Sequence, residues 1–210
     1  MSSQALLYVI VLPAAWLLLW PLRSVRSRQA LLLVTSYALY ASWGLKFLGL
    51  LVCSSVLNYC LGILLRRKQS AARLWLGIIL NLALLGTFKY LPAIAPLLPR
   101  SPLNSTFANI ALPVGISFWT FQALSYLFDV YRKEELDPSL LEFLLYMAFW
   151  PTVLSGPICR LSNLLPQFRE VLKPATEDIR RGLDRICIGL FNDCSWATSV
   201  HRNASWTRHR

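Results

Sequence analysis

The residues best placed to do chemistry lie in one apolar stretch. Residues 112–135 read LPVGISFWTFQALSYLFDVYRKEE, and the stretch contains Gln122, Ser125 and Asp129. At about 100° per residue, these three side chains fall within about 60° of arc on a helix, so they form one stripe. Polar groups inside a membrane segment pair with a neighbour or face a wet cavity. The stripe therefore supports three roles: interhelical hydrogen bonding, lining of a cavity, or direct chemistry at Asp129.

The stripe also predicts which side of the helix faces the protein interior. Phe118 shares the side of Gln122 and Asp129, whereas Thr120 lies on another side. An aspartate near the centre of a membrane helix costs about 2.5–3.5 kcal/mol on insertion scales. We therefore expect Gln122 and Asp129 to face inward, and Thr120 to serve as an outward-facing comparison.

Known catalytic motifs are missing from the rest of the chain. The two histidines, His201 and His209, both lie in a polar, arginine-rich tail. The sequence has no G-x-S-x-G motif, no phosphate-binding loop and no cluster with metal-ligand spacing. Its five cysteines form no C-x-x-C pair, which disfavours zinc binding or a redox pair. The residues by themselves assign no catalytic side chain, no metal site and no bound cofactor.

The elements that must position the stripe look like membrane helices. The chain is 56% hydrophobic and 15% charged, whereas a soluble domain carries about 25% charged residues. Apolar blocks long enough to approach a span of about 20 residues recur along it. The composition predicts an all-α, polytopic membrane helical bundle with about five spans plus one re-entrant segment. The blocks are 5–22, 30–65 with a break near 42–46, 71–91, 112–135 and 140–158.

The formal net charge of +11 is distributed between these blocks. Basic residues follow the first block and lie at 66–73, which is the pattern of cytoplasmic loops and not of a nucleic-acid-binding domain. This rule predicts an outward-facing N-terminus and no nucleic-acid partner. Both flanks of 140–158 are basic, so a simple span conflicts with the rule. We therefore expect that segment to be re-entrant, with its turn near 151–157.

Two stretches carry a resemblance to a known family. LPVGISFWTFQALSYLFDVYR and YMAFWPTVLSGPICRLSNLLPQF resemble the membrane-bound O-acyltransferase superfamily. They are most similar to the branch that contains the alginate O-acetyltransferase membrane subunit and the D-alanine transfer protein of teichoic acids. YALYASWGLKFLGLLVCSSVLNYCLGILL and LNLALLGTFKY are similar to the N-terminal half of that branch. The resemblance covers residues 31–190.

The resemblance implies an acyltransferase of the cell (inner) membrane. Such an enzyme takes an acyl group from a cytoplasmic thioester, acetyl-CoA or an acyl-carrier protein, and passes it through a membrane funnel to a polysaccharide hydroxyl, as in alginate O-acetylation. It also implies the lipid bilayer as environment and a soluble acyl-carrier or periplasmic acyltransferase as partner. Carried over onto matching positions, the funnel or motif residues are Pro113, Gly115, Ser117, Phe118, Gln122, Tyr126, Asp129, Gly156, Pro157 and Arg160.

The end of the chain departs from the family pattern. The resemblance implies that a catalytic histidine follows in a later apolar region, and no match to its motif is present. We expect residues 1–190 to be the membrane-embedded N-terminal half of a larger fold, and 191–210 to be an atypical polar tail produced by a frameshift or a divergent terminus. Two function classes stay open: an acyltransferase by descent, inactive as this chain alone, and a non-catalytic membrane subunit or transporter-like bundle.

Overall fold

The computed structural model describes residues 21–90, 112–154 and 158–170 without a break, and some residues within 11–19, at 92 and within 177–189. The chain divides into two compact units, Met1–Val171 and Leu172–Arg210. In the second unit, the described residues include a helical run at 180–185, where Arg181 contacts Glu177 at 3.2 Å. The atypical tail at 191–210 lies outside the described residues.

Within its described residues, the first unit is all-helical, with seven helices and no strand. This agrees with the predicted all-α class. The helices are α1 Val25–Ala41, α2 Leu45–Arg67, α3 Ala71–Lys89, α4 Ile116–Tyr131, α5 Leu140–Ala148, α6 Trp150–Leu154 and α7 Leu161–Arg169.

Two of these helices are long and apolar enough to cross a membrane. Helix α2 has 23 residues and α3 has 19, which correspond to lengths of about 35 Å and 28 Å against a hydrocarbon core of about 30 Å. Large apolar side chains project outward from both helices, among them Leu57, Trp75 and Ile79. A membrane bundle accounts for these exposed surfaces. Most of the predicted first span, 5–22, lies outside the described residues.

The long apolar block at 30–65 breaks where the sequence predicts. Helix α1 ends at Ala41 and α2 begins at Leu45. Between them, the Ser42 hydroxyl donates to the carbonyl oxygen of Leu39 at 2.6 Å, and Gly44 has a φ of 141°. A side chain rarely tolerates that φ, so glycine suits the point at which the chain reverses.

Helix α4 lies against both α2 and α3, and glycines allow the close approach. A Cβ atom on Gly62 of α2 would collide with the ring and hydroxyl of Tyr126, and one on Gly77 of α3 would lie 2.6 Å from the Leu127 side chain. Small residues let membrane helices approach closely enough for dispersion contacts to hold them together. The core beneath includes Trp119 and Phe143, which are fully buried.

The chain from Ser139 to Arg169 begins and ends at the same end of the bundle. Helix α5 has 9 residues, so it is only about 13 Å long. At the other end of this stretch, Arg169 donates to Glu142 at 2.7 Å and to the carbonyl oxygen of Asp137 at 2.8 Å. The chain therefore enters through α5, reverses, and returns through α7.

A first break in this stretch lies at Phe149, ahead of the turn predicted at 151–157. Helix α5 ends at Ala148, and α6 begins at Trp150 with Pro151 in its first turn. A proline ring clashes with the preceding turn and has no N–H to donate, so it suits a first turn and not a helix interior. Part of the predicted turn, residues 155–157, lies outside the described residues.

The basic residues on several helices meet at one end of the bundle. Arg66 of α2 donates to Asp137 at 2.7 Å, and Gln69 donates to the carbonyl oxygen of Tyr131 at 3.4 Å. Arg26 of α1 lines the same pocket as Asp137. We call this the basic end. At the opposite end, the Tyr40 hydroxyl donates to the carbonyl oxygen of Val114 at 2.7 Å.

Candidate functional site: the polar interior around helix α4

Helix α4 is held in place at its N-terminus by a glycine. Gly115 has a φ of 74°, and an added Cβ atom would lie 2.5 Å from the carbonyl oxygen of Val153. Backbone conformation and close contact both exclude a side chain there. The preceding Pro113 is buried. The two motif residues Pro113 and Gly115 therefore fix where α4 begins against α6.

Gln122 is buried at the contact between α4 and α6. It is 1% exposed, and its Nε2 donates to the Thr152 hydroxyl at 3.2 Å. The Tyr146 hydroxyl of α5 lies 3.3 Å from the carbonyl oxygen of Gln122 and 2.9 Å from that of Cys159. Gln122 thus forms an interhelical hydrogen bond, which is one of the three roles that the stripe left open. Its Oε1 atom is also buried and accepts no hydrogen bond.

Asp129 lies two turns further along the same face and is 2% exposed. Glu134, Arg160 and Arg132 lie near enough to act on its carboxyl group electrostatically, Glu134 against its charge and the two arginines in favour of it. Its Oδ2 atom is buried without a partner. The inward orientation expected of Gln122 and Asp129 is confirmed. Both residues also present a buried acceptor oxygen with no donor.

Thr120 corrects the predicted outward side of α4. It is 0% exposed, and its hydroxyl has no hydrogen-bond partner. The helix packs against α2 and α3 as well as against α5 and α6, so more than one side of it is covered. The exposed side instead carries Phe121 and Phe128, at 45% and 42%. These phenylalanines, and not Thr120, are suitable outward-facing comparisons.

The remaining motif residues divide between the interior and the surface. Tyr126 is fully buried and stacks against Phe143, with ring centroids 4.5 Å apart. Ser117 and Phe118 are half-buried, and Arg160 is exposed at the start of α7. Arg160 directly precedes helix α7, and α7 contacts α4, which carries most of the first motif. Gly156 and Pro157 lie outside the described residues.

Sequence reasoning missed a pair of asparagines between the two long helices. Asn58 of α2 and Asn81 of α3 exchange side-chain hydrogen bonds of 3.1 and 2.7 Å, and both are buried. Each amide also donates within its own helix, to Ser54 and to Gly77. The signal was present as one asparagine in each apolar block, because an isolated amide in such a block needs a partner.

A second missed cluster ties α1, α5 and α7 together at the basic end. Glu142 closes a capping box with Ser139 and accepts two bonds from Arg169, at 2.7 and 3.0 Å. The buried Gln29 donates to Glu142 at 3.4 Å and to the carbonyl oxygen of Phe168 at 3.1 Å. Hydrogen bonding from Arg169 holds the pKa of Glu142 at about 2, below its usual 4.5. The carboxylate is therefore charged at all ordinary pH values.

This polar interior is suited to binding and orientation. Among the described residues, no group of three or more histidine, cysteine, aspartate or glutamate side chains forms a candidate metal site. His201 and His209 lie outside the described residues. The described part of the chain therefore provides buried hydrogen-bonding groups within an all-helical bundle that has two candidate membrane-spanning helices.

Curated relatives add to this description of a helical bundle with two candidate membrane-spanning helices. The probable alginate O-acetylase AlgI of Azotobacter vinelandii is 38% identical over 180 residues, covering 80% of this chain and 35% of the relative. AlgI of Pseudomonas aeruginosa PAO1 is 36% identical, covering 80% of this chain and 34% of the relative. The peptidoglycan O-acetyltransferase of Helicobacter pylori is 31% identical over 194 residues, covering 76% of this chain and 36% of the relative.

These similarities show what the chain is homologous to. Over most of its length it is similar to proteins named as O-acetyltransferases, which are of the membrane-bound O-acyltransferase type. It spans about a third of the length of the curated relatives it matches. No family model matches the chain, and no solved structure matches it significantly.

Proposed function

We propose that this chain forms part of an O-acetyltransferase that moves an acetyl group from a thioester donor to a glycan hydroxyl. The observation that carries the proposal is the 31–38% identity to relatives named for acetylation of alginate and of peptidoglycan. The two acceptors are different glycans, and transfer of acetyl to oxygen is what the names share. For this chain we propose alginate or a related polysaccharide as acceptor, and acetyl-CoA or an acyl-carrier thioester as donor.

We propose that the acyl group passes beside the polar face of helix α4. Helix α4 places the acceptor oxygens of Gln122 and Asp129 in the interior, on one face and about 10 Å apart along the axis. Ligands with N–H or O–H groups would satisfy these oxygens, and both a pantetheine arm and a sugar hydroxyl supply such donors. In this proposal, the stripe braces or lines the funnel and contributes no catalytic base.

The stretch from Ser139 to Arg169 supports a re-entrant segment beside that route. Both of its ends lie at the basic end, where Arg169 contacts Glu142 and Asp137. Non-helical backbone at membrane depth is tolerated only where protein or an aqueous cavity surrounds it. The non-helical Phe149 between α5 and α6 is half-buried, and the helical residues Tyr146 and Val153 on either side of it are buried. We therefore propose that α5, α6 and α7 dip into the bundle without crossing it.

The charge distribution supports a location in the inner membrane with the basic end in the cytoplasm. In this orientation, the thioester donor approaches from the basic end and the N-terminus faces outward. Single cysteines at Gln69 and at Ser3, in a cysteine-free background, test the orientation with an impermeant thiol reagent. Labelling in intact cells at position 3 and not at position 69 is expected; the reverse pattern would exclude the proposed topology.

A chimera tests the function directly. In a bacterium that lacks its own alginate O-acetylase, the matched segment of a relative is replaced by the corresponding segment of this chain, and ester-linked acetyl on the polysaccharide is measured. Acetylation well above the empty vector is expected. In the same chimera, Gln122→Leu should lower acetylation strongly, whereas the matched change Phe121→Leu at an exposed neighbour should not. An inactive chimera that is made and inserted normally would overturn the proposal.

A second candidate, a non-catalytic membrane subunit, is favoured by one observation. The described residues contain no histidine, and histidine is the side chain most often used as a general base near neutral pH. Expressing this chain alone in the same host tests whether it carries a catalytic base of its own. We expect no acetylation from the chain alone. Acetylation that His201→Ala or His209→Ala abolishes would show instead that its C-terminal region is catalytic.

A further inference from the structure

A pocket of about 680 Å³ opens at the basic end of the bundle. It lies where the first turns of α1 and α5 meet the last turn of α7. Its size is within the range of small-molecule sites, roughly 300–1,000 Å³. Its polar lining includes Arg26, Gln29, Tyr59, Ser139, Glu142 and Arg169.

The negative charges of this lining are already neutralised. Glu142 accepts two hydrogen bonds from Arg169 and one of 2.8 Å from the Ser139 N–H. Asp137 accepts from Arg66 at 2.7 Å, and its side chain is 96% exposed, so it lies at the rim. Neither carboxylate is left to hold a cationic ligand, because each already has a guanidinium partner.

The unused hydrogen-bonding capacity of the lining consists mostly of donors. Arg26 makes no hydrogen bond or ion pair with any described residue. The Ser139 Oγ accepts from the Glu142 N–H at 3.3 Å, which leaves its own O–H free to donate. The Tyr59 hydroxyl makes only a long bond of 3.4 Å, to the carbonyl oxygen of Pro138. A ligand rich in acceptors and carrying negative charge fits this arrangement.

The N-termini of helices α5 and α1 both lie at the pocket, and only that of α5 is capped by a side chain. Helix α5 is closed by its capping box, with Glu142 in the first turn. Helix α1 has no side-chain cap at Ser24 and no acidic residue in its first turn. Its first N–H groups and the positive end of its dipole therefore remain available beside Arg26.

We propose that this pocket binds a phosphate group, which Arg26 and the first turn of α1 hold. A pocket of this volume accommodates a phosphate together with the group that carries it. Two sources supply the same chemistry at a membrane surface: the headgroup of an anionic phospholipid and a soluble phosphorylated ligand. Basic pockets at membrane helix ends hold lipid headgroups in this way. The proposal concerns binding only and does not depend on acyl transfer.

The test compares the full chain with two variants of equal charge. Arg26→Gln removes the pocket arginine, and Arg67→Gln removes an exposed arginine at the same end that does not line the pocket. In nanodiscs with and without phosphatidylglycerol, native mass spectrometry measures the lipid retained by each protein. In detergent, phosphorus NMR measures the affinity for inorganic phosphate.

We expect Arg26→Gln to weaken phosphate binding about fivefold in one of these arms, and Arg67→Gln to change it less than about twofold. Loss confined to phosphatidylglycerol assigns a lipid headgroup, and loss confined to inorganic phosphate assigns a soluble ligand. Arg26→Lys, which keeps the charge, should retain most of the binding and excludes misfolding as the cause. Equal effects of Arg26→Gln and Arg67→Gln in both arms, or no binding by the unaltered chain, would overturn the proposal.

Discussion

The asparagine pair between α2 and α3 gives the sharpest test of how this bundle is held together. Asn58 and Asn81 exchange hydrogen bonds of 3.1 and 2.7 Å and are 0% and 2% exposed. Leucine has the branching of the asparagine side chain and no polar atom, so Asn58→Leu and Asn81→Leu each remove both bonds, with some increase in side-chain volume.

The magnitude follows from the number of bonds. Interhelical hydrogen bonds in membranes contribute about 0.6 kcal/mol on average and up to about 1.7 kcal/mol, so two of them contribute about 1–3 kcal/mol. Each single variant also leaves the other amide with an unsatisfied buried oxygen, which adds to the loss. In the double variant no unpaired amide remains. We therefore expect each single variant to lose about 2 kcal/mol, and the double variant to lose clearly less than the sum.

A double-mutant cycle measures this coupling. The free energy of unfolding is determined for the four proteins in the same mixed micelles by denaturation with sodium dodecyl sulfate. Thr87→Leu on α3 is the matched control, because Thr87 is exposed and its hydroxyl donates only within its own helix, to Ala83 at 2.8 Å. A coupling energy below about 0.3 kcal/mol, within the scatter of independent sites, would refute the reasoning.

Three further predictions concern close packing, acid stability and a helix end. Gly62→Ala should cost about 1–3 kcal/mol of unfolding free energy through overpacking against Tyr126, and Tyr126→Leu should recover part of this loss. Gly86→Ala, whose added Cβ atom meets no atom within 4 Å, is the control. Equal thermal stability of the two alanine variants would contradict the packing. The pKa of Glu142 is lowered from 4.5 to about 2, so its charged form stabilises the fold above about pH 4.5, and this contribution is lost as pH falls toward 2. Glu142→Gln should therefore flatten the dependence of the unfolding free energy on pH between these values. An unchanged pH dependence would argue against the Glu142–Arg169 ion pair. Lys133 lies two residues beyond the end of α4 and has a φ of 65°. Lys133→Gly should therefore raise the unfolding free energy by about 0.5–1 kcal/mol, and a clear loss would show that the lysine side chain itself stabilises the fold.

The polar stripe on α4 shows which buried side chains can be predicted from helical periodicity alone. The spacing of Gln122 and Asp129 correctly predicts that both face inward, because one face of a helix is fixed by the angle per residue. Thr120 does not follow from the same reasoning. A helix in the middle of a bundle is covered on several sides, and only the neighbours of α4 decide how many.

The breaks between helices divide in a similar way. The sequence predicts the break at Ser42–Gly44, because a glycine and two polar or aromatic residues interrupt an apolar block that is too long for one span. The break at Phe149 was not expected, and the turn predicted at 151–157 lies partly outside the described residues. The proline ring clashes with the preceding helical turn, so the helix ends before Pro151 and not at it.

The sequence by itself determines the helical class, the break between α1 and α2, the distribution of charge and the resemblance to O-acyltransferases. Each of these depends on local composition, on periodicity or on matching motifs. Only the tertiary structure pairs Asn58 with Asn81, or brings Gln29, Glu142 and Arg169 together over separations of up to 140 positions. A hydrogen bond depends on distances of a few tenths of an ångström between groups far apart in the chain. No pattern within a single helix specifies those distances; the packing of one helix against another does.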